Sequence, residues 1–513
     1  MTFRQAKADE MFRIHRLLLV YAVAIPLALV LGYMVATPDV AAVGMVGMIL
    51  LVLVLPLLIQ WHHWLLILSW NSVFVAGFLP GQVQLWVLFA GLTFCMAVVH
   101  RFMGHRDFLR APELTKPILF LALVVILTGK IRGGLGMRVL GSGSFGGKNY
   151  FYVLIAIMGY FALISQPIPL LKAARAAKWF FLAGTTNAVA NVLYAMGPVT
   201  YFLFWFIPAN VGGQVVSDWS DNLLQRLGGF GPAGSFLLCF LLARWGIRGL
   251  FEWDKPWRFL LVMLALAGSM LSGFRSNLLF ILLLFAVQFV VEGTWKTPLL
   301  PALVLLGILC LVPALFFANR LPGAVQRSLA FLPVDINPDI RADAEASTDW
   351  RLGMWREIWP EIPKYLFIGK GYALDPEELY LTVMGAQMGI LSAFESSKLS
   401  GDYHNGPLSI LIPFGLFGTA AFVWLLVAGI KVMYGNNRYG DARLRRVNMT
   451  LFCYFVTECL FFIFVFGAFN SQLSVFLGIL GFSISLNGGV CRRPVMARKT
   501  FLSTSLAAPL ATA

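Results

Sequence analysis

Charge is scarce in this chain: of its 513 residues only 12% are Asp, Glu, Lys or Arg, about half of what a soluble globular protein carries. A soluble fold is therefore excluded. Cysteine is scarce as well, and its placement is telling. Cys95, Cys239, Cys310, Cys453 and Cys459 fall in apolar runs and Cys491 near the C-terminal end, so no disulfide framework is expected. Acidic residues are few, 24 against 39 Lys and Arg, giving a formal charge of +15. That excess is spread through short segments between apolar runs, as the orientation rule for membrane proteins requires, so no nucleic-acid partner is read from it.

What the sequence has in abundance is apolar length. Hydrophobic residues make up 59% and gather into stretches near the roughly 20 residues that cross a ~30 Å hydrocarbon core as helix. Spans are predicted at 17–36, 41–59, 64–79, 82–100, 117–131, 149–171, 178–206, 232–243, 258–273, 275–291, 298–317, 407–428, 448–467 and 472–488. The expected fold class is an all-α polytopic membrane protein of about 12 to 14 transmembrane helices. The first run is too long for a cleaved signal and reads as a retained anchor.

With the N-terminus inside, 25 of the 39 basic residues fall on the cytoplasmic side. The bias predicts a multi-pass protein with both termini in the cytoplasm. The chain then divides into a transmembrane bundle over 1–317, an extracytoplasmic loop over 318–406, C-terminal transmembrane helices over 407–488 and a cytoplasmic tail over 489–513.

The loop is the main irregularity. It holds twelve carboxylates against eight basic residues, and a segment of such length usually has its own structure and carries function. Asp349 is expected to cap a helix over 350–359 that Pro360 ends, with Arg351, Trp355, Ile358 and Trp359 on one face. A second apolar helix is expected over 376–394.

Three residues in or near this loop invite chemistry. Of six histidines only His404 faces outward; one histidine makes no zinc site. It stands in Asp402-Tyr403-His404-Asn405 just before a span, where it is either a general base or an interfacial residue at a helix start. Arg275 breaks the apolar run 259–291. An arginine there is a functional candidate by default, unless it snorkels or pairs with Glu458. Arg351 and Arg356 are five positions apart and so point about 140° from one another on a helix. Arg351 shares its face with tryptophans and is the better candidate; Arg356 is the candidate for a solvated ion pair.

In this order the residues resemble the bacterial O-antigen ligase and O-antigen polymerase superfamily of lipid-linked polysaccharide transferases. The resemblance rests on Ser272-Gly273-Phe274-Arg275 ahead of an apolar span. It rests also on Arg351-Leu352-Gly353-Met354-Trp355 followed by Gly369-Lys370-Gly371, and on His404-Asn405 before a span with Gly415 and Gly418. Phe274 and Ser276 depart from the family's usual Ser and Gly. The resemblance implies a metal-independent glycosyltransferase without cofactor. It would move a glycan from an undecaprenyl-diphosphate carrier to a hydroxyl acceptor, a glycan or the lipid A core, on the outer face of the inner membrane. Arg275 and Arg351 would hold the diphosphate and His404 assist the acceptor, with Trp355, Arg356, Asp402 and Asn405 as substrate-binding candidates. The alternative is a transporter or flippase of lipid-linked oligosaccharide, although no internal repeat of the transporter kind is evident.

Overall fold

The structure is a computed structural model. It describes residues 21, 22, 24–26, 28, 29, 32, 40–77, 79, 82–104, 107–136, 146–208, 226–388, 398, 401 and 403–493. Most of the anchor expected at 17–36, the substrate-binding candidate Asp402, the stretch 389–394 and the tail beyond 493 lie outside the described residues.

The protein is an all-α polytopic membrane fold. Among the described residues, seven helices are long and apolar enough to cross a membrane. They are α1 (Val40–Ser69, over its part Val52–Ser69), α2 (Leu85–Phe102), α3 (Pro112–Arg132), α7 (Phe230–Leu250), α15 (Gly406–Tyr439), α16 (Arg445–Phe464) and α17 (Phe469–Asn487). Shorter apolar helices are α8 (Pro256–Leu271), α9 (Arg275–Val291) and most of α10 (Leu299–Phe317). Between them lie α4 (Gly147–Leu163), α5 (Leu170–Leu182) and α6 (Asn187–Met196). The only sheet among the described residues is a two-residue antiparallel hairpin, β1 (Val75–Ala76) with β2 (Val83–Gln84).

Two boundaries differ from the sequence expectation. The spans expected at 41–59 and 64–79 are not separate, because α1 runs unbroken to Ser69 and the remainder turns into the hairpin. Trp61-His62-His63-Trp64 lowers the hydropathy without containing a glycine or proline that would break a helix. The long run expected at 178–206 is not one span either. It is interrupted by a 3-10 turn at Ala183–Thr186 and again at Gly197 (φ +85), where Pro198 opens a second 3-10 stretch. Backbone punctuation, not hydropathy, sets these ends.

Close packing of side chains replaces hydrophobic collapse as the glue, since a lipid tail is as apolar as a leucine. Trp70 lies between two helices that meet it with glycine. A Cβ on Gly478 of α17 would sit 1.9 Å from its indole nitrogen, and one on Gly159 of α4 2.7 Å from its ring. The indole N–H donates to the Ser474 carbonyl at 3.2 Å. Further along, Phe422, Phe462, Phe469 and Phe476 of α15 to α17 interlock through tilted and edge contacts at 5.2 to 5.8 Å. These helices form the frame on which the segment 318–406 sits.

That segment carries α11 (Gly323–Leu329), α12 (Pro338–Ile358), α13 (Ile362–Tyr365) and α14 (Pro376–Gln387). The loop helix starts eleven residues before the expected Asp349 cap. Asn337 is the N-cap, accepting from the Asp339 N–H at 2.8 Å, and Pro338 takes the first helical position, the pairing that favours a helix start. Asp349 is thereby interior. The helix stops at Ile358, one residue short of Trp359, and a 3-10 turn over Trp359–Glu361 follows. That change of pitch swings Trp359 outward, 70% exposed, while Ile358 stays buried. Trp359 therefore leaves the face it was expected to share with Arg351 and Trp355.

Candidate active site

Two chain breaks meet α12, and a third pairs the segment that follows it with α15. The first is the interruption between α8 and α9, where Gly273 adopts φ +69 and the Ser272 hydroxyl accepts from the Phe274 N–H and from the Asn277 amide at 3.3 and 3.2 Å. This satisfies groups that a helix start leaves open. It also puts Arg275 at the first position of α9. Its Nη2 donates to the Ala344 carbonyl at 2.7 Å and to the Thr348 hydroxyl at 3.0 Å, both on α12. The alternative partner, Glu458, is buried within α16 beside Tyr454.

One turn earlier on α12, Asp343 receives two further arginines. Arg226 reaches it at 2.8 Å and the Arg327 Nε bonds the same oxygen, while Arg327 Nη1 donates to the Gly273 carbonyl at 2.8 Å. Arg327 is only 6% exposed, so its charge depends on these contacts. Burial pushes the Asp343 carboxyl up, but the Arg327 and Arg226 guanidiniums outweigh it and hold it below the usual carboxylate range. One turn later stands Arg351. Burial lowers its pKa, and the nearby Arg275 and Arg327 charges lower it further. Two guanidiniums thus bond Asp343, Arg275 lies within reach of its charge and Arg351 feels Arg275 and Arg327, so the surplus is positive.

The second break precedes α15. Asn405 accepts from the Leu408 N–H at 3.0 Å and caps that helix. His404 before it adopts φ +47, a left-handed conformation that costs a residue with a Cβ about 1–2 kcal/mol. It is wedged between Trp350, edge-on with ring centres 5.3 Å apart, and Phe466, tilted at 5.3 Å. The Trp355 indole N–H donates to the Tyr403 carbonyl at 2.9 Å, which ties the far part of α12 to the residue preceding His404. Strain held by surrounding packing is a signature of functional positions.

The third break explains the Gly-Lys-Gly motif. Within α15, Gly415 (φ +63) interrupts the ladder just after Pro413, freeing carbonyls that must be satisfied inside a membrane fold. The segment 366–371 supplies the partners: Lys370 N–H donates to Ile412 O at 2.8 Å and Gly371 N–H to Pro413 O at 2.9 Å, while Leu416 N–H donates to Leu366 O at 2.7 Å. A Cβ on Gly369 would lie 2.0 Å from the Pro413 oxygen, so only glycine permits this approach. Arg132 of α3 holds the other edge through the carbonyls of Gly369 and Ile368.

Of the residues singled out from the sequence, Arg275 lies near Arg351 of α12, His404 touches Trp350 of the same helix, and Trp355 bonds the residue before His404. Arg356 is exposed on the other side of that helix, and Asn405 is engaged as a cap. Arg226, Arg327, Asp343, Thr348 and Trp350 were not anticipated. Among the described residues no group of three or more His, Cys, Asp or Glu side chains is placed to hold a metal ion.

No curated protein matches the chain. Residues 260–423, which run from α8 through the loop into α15 and contain Arg275, Arg351 and His404, match a family model described as O-antigen ligase, the same stretch that carries the three motifs of the resemblance.

Proposed function

We propose that the protein transfers a glycan from a lipid diphosphate carrier to a hydroxyl acceptor, with the arginine cluster around α12 binding the diphosphate and His404 acting as base. The observation that carries this reading is that one helix, α12, contacts both candidates, Arg275 through Ala344 and Thr348 and His404 through Trp350. The acceptor oxygen forms a bond to the anomeric carbon, the bond from that carbon to the diphosphate breaks, and the hydroxyl proton passes to the imidazole. Charge grows on the leaving diphosphate. Arg275 and Arg351 then offer fixed, planar, charge-assisted donors for it. A diphosphate leaves without strong protonation, so a strong general acid of the glycosidase kind is not needed. An imidazole titrates nearest neutrality of the ordinary side chains, as a base at physiological pH requires.

The carrier we propose is undecaprenyl diphosphate, the acceptor a second lipid-linked glycan or a lipid A core, and the location the outer face of the bacterial inner membrane with both termini inside. Purified protein given lipid-linked glycan and acceptor is expected to release the free carrier diphosphate, and to do so in excess chelator because arginines replace a metal. An intact linkage after incubation would make the protein a flippase or scaffold. Activity lost to chelator and restored by magnesium would put a cation among the loop carboxylates. A cysteine placed at Glu345 is expected to react with an impermeant label in intact cells; protection there would overturn the orientation.

A further inference from the structure

The opposite end of α9 opens onto a second concentration of positive charge. A cavity of about 1210 Å³ lies among α5, the end of α7, the end of α9 and the start of α16. Since α9 runs from Arg275 to Val291, this cavity lies about 24 Å along the helix from the arginine cluster. Arg175, Lys178, Arg244, Arg248, Arg445 and Arg446 line it, all exposed and none in an ion pair with a carboxylate among the described residues. A seventh, Arg443, is tied to Asp441 at 2.9 Å.

The one carboxylate in the wall is otherwise engaged. Glu292 accepts from the Ile247 and Arg248 backbone N–H groups at 2.8 and 3.3 Å. It closes the break that Gly246 (φ +66) makes in α7, so it stitches backbone and bridges none of the six cations. Behind the charges the wall is apolar, with Trp179, Phe240, Val447 and Met449. Cations at the rim and aromatic and aliphatic groups behind them describe a ligand with the same two parts. Six cations around a cavity of this size also exceed what one small anion neutralises.

We infer that this cavity binds the phosphates of an anionic phospholipid, most favourably one with two phosphates, whose acyl chains lie against Trp179 and Phe240. Basic recesses between transmembrane helices suit such headgroups, and the lipid would join α5, α7 and α16, whose mutual repulsion it removes. This inference is independent of the reaction proposed above, because no residue of the cavity belongs to that site.

The test uses the full chain in phosphatidylcholine nanodiscs. Native mass spectrometry and thermal unfolding are followed as diphosphatidylglycerol, phosphatidylcholine or inorganic diphosphate is added. Saturable retention of diphosphatidylglycerol with a rise in unfolding temperature is expected. The triple variant Arg175→Gln, Arg248→Gln, Arg445→Gln should weaken that retention at least tenfold, and Trp179→Ala should weaken lipid retention without altering folding. The three arginines are exposed, so a folded variant is expected; Arg175→Gln alone, with a several-fold loss, serves if it is not. Equal retention of phosphatidylcholine, or undiminished binding by a folded variant, would overturn the proposal. So would diphosphate binding as tightly as the lipid, since the occupant would then be a free anion.

Discussion

The two positive regions at the ends of α9 have similar charge and opposite construction. At the start of the helix the guanidiniums are fixed: Arg275 by a carbonyl and a hydroxyl of α12, Arg226 and Arg327 by Asp343. At its end six cations line a wide cavity and reach into solvent with no carboxylate partner among the described residues. Fixed donors stabilise charge that develops during a reaction because they need no reorganisation when it appears. Loose ones suit an anion that is already charged and need not be placed to a fraction of an ångström. The contrast separates a place for chemistry from a place for residence.

The largest expected effect breaks the first region at its base. His404→Ala should lower turnover by about 10² to 10⁴, the usual contribution of a general base, while leaving carrier affinity nearly intact. Carrier release in detergent, read beside thermal stability, measures it. Alanine keeps the Cβ and with it the strain at φ +47 and loses the ring contacts with Trp350 and Phe466, so the unfolding temperature should fall slightly while the protein still folds. Near-normal turnover in a folded variant would leave His404 as a helix-start residue.

Arg275→Lys and Arg351→Lys sharpen the contrast directly. A lysine keeps the charge and loses the planar fork, so each should cost about 10² to 10³ in turnover, the scale of a lost transition-state donor. Full activity of both variants would mean that charge alone suffices, and the distinction between fixed and loose regions would fail. In the basin, where no fork is in use, Arg175→Lys should retain most lipid binding.

Much of the first region was legible in the sequence because its residues violate their surroundings. Arg275 interrupts an apolar run, and His404 is a lone imidazole before another. Arg351 shares a helical face with Trp355. Arg226, Arg327 and Asp343 give no such signal, since a charged residue in a charged loop looks ordinary until the fold buries it. Asp343 is one of twelve loop carboxylates, and only its place beside Ala344 distinguishes it. The start of α12 was legible in Asn337-Pro338, yet Asp349 offered a competing cap nearer the tryptophans. Hydropathy also divided α1, because polar residues lower the average without ending a helix. The glycine motif was visible as a pattern, but its cause, the carbonyls freed at Gly415, required the second segment to be in place.

That cause can be tested by a smaller change. Gly369→Ala would put a Cβ 2.0 Å from the Pro413 oxygen, a contact with backbone that no rotamer relieves. It should lower stability by about 1–3 kcal/mol, as overpacking does, seen as a lower unfolding temperature, and it should displace the segment 366–371 from α15. An unchanged unfolding temperature would mean that this segment is held by something other than the pairing described.

The smallest effect asks whether Asn405 caps a helix or binds substrate, which the sequence left as the latter. Its side-chain oxygen accepts from the Leu408 N–H at 3.0 Å, and its backbone is extended at φ −145 before α15 begins. Loss of such a cap costs about 1 kcal/mol, and Asn, Asp and Ser are nearly interchangeable in it. Asn405→Ala should therefore lower stability by about that amount, and Asn405→Ser should restore it. The serine variant separates the two roles, because its hydroxyl can satisfy the Leu408 N–H but lacks the amide donors that a sugar hydroxyl would use. Restored stability together with normal acceptor KM makes Asn405 a cap that holds His404 at the mouth of the site. Restored stability with a raised KM makes the amide part of the acceptor contact, and the strained backbone of His404 would then present two neighbouring side chains to the same substrate.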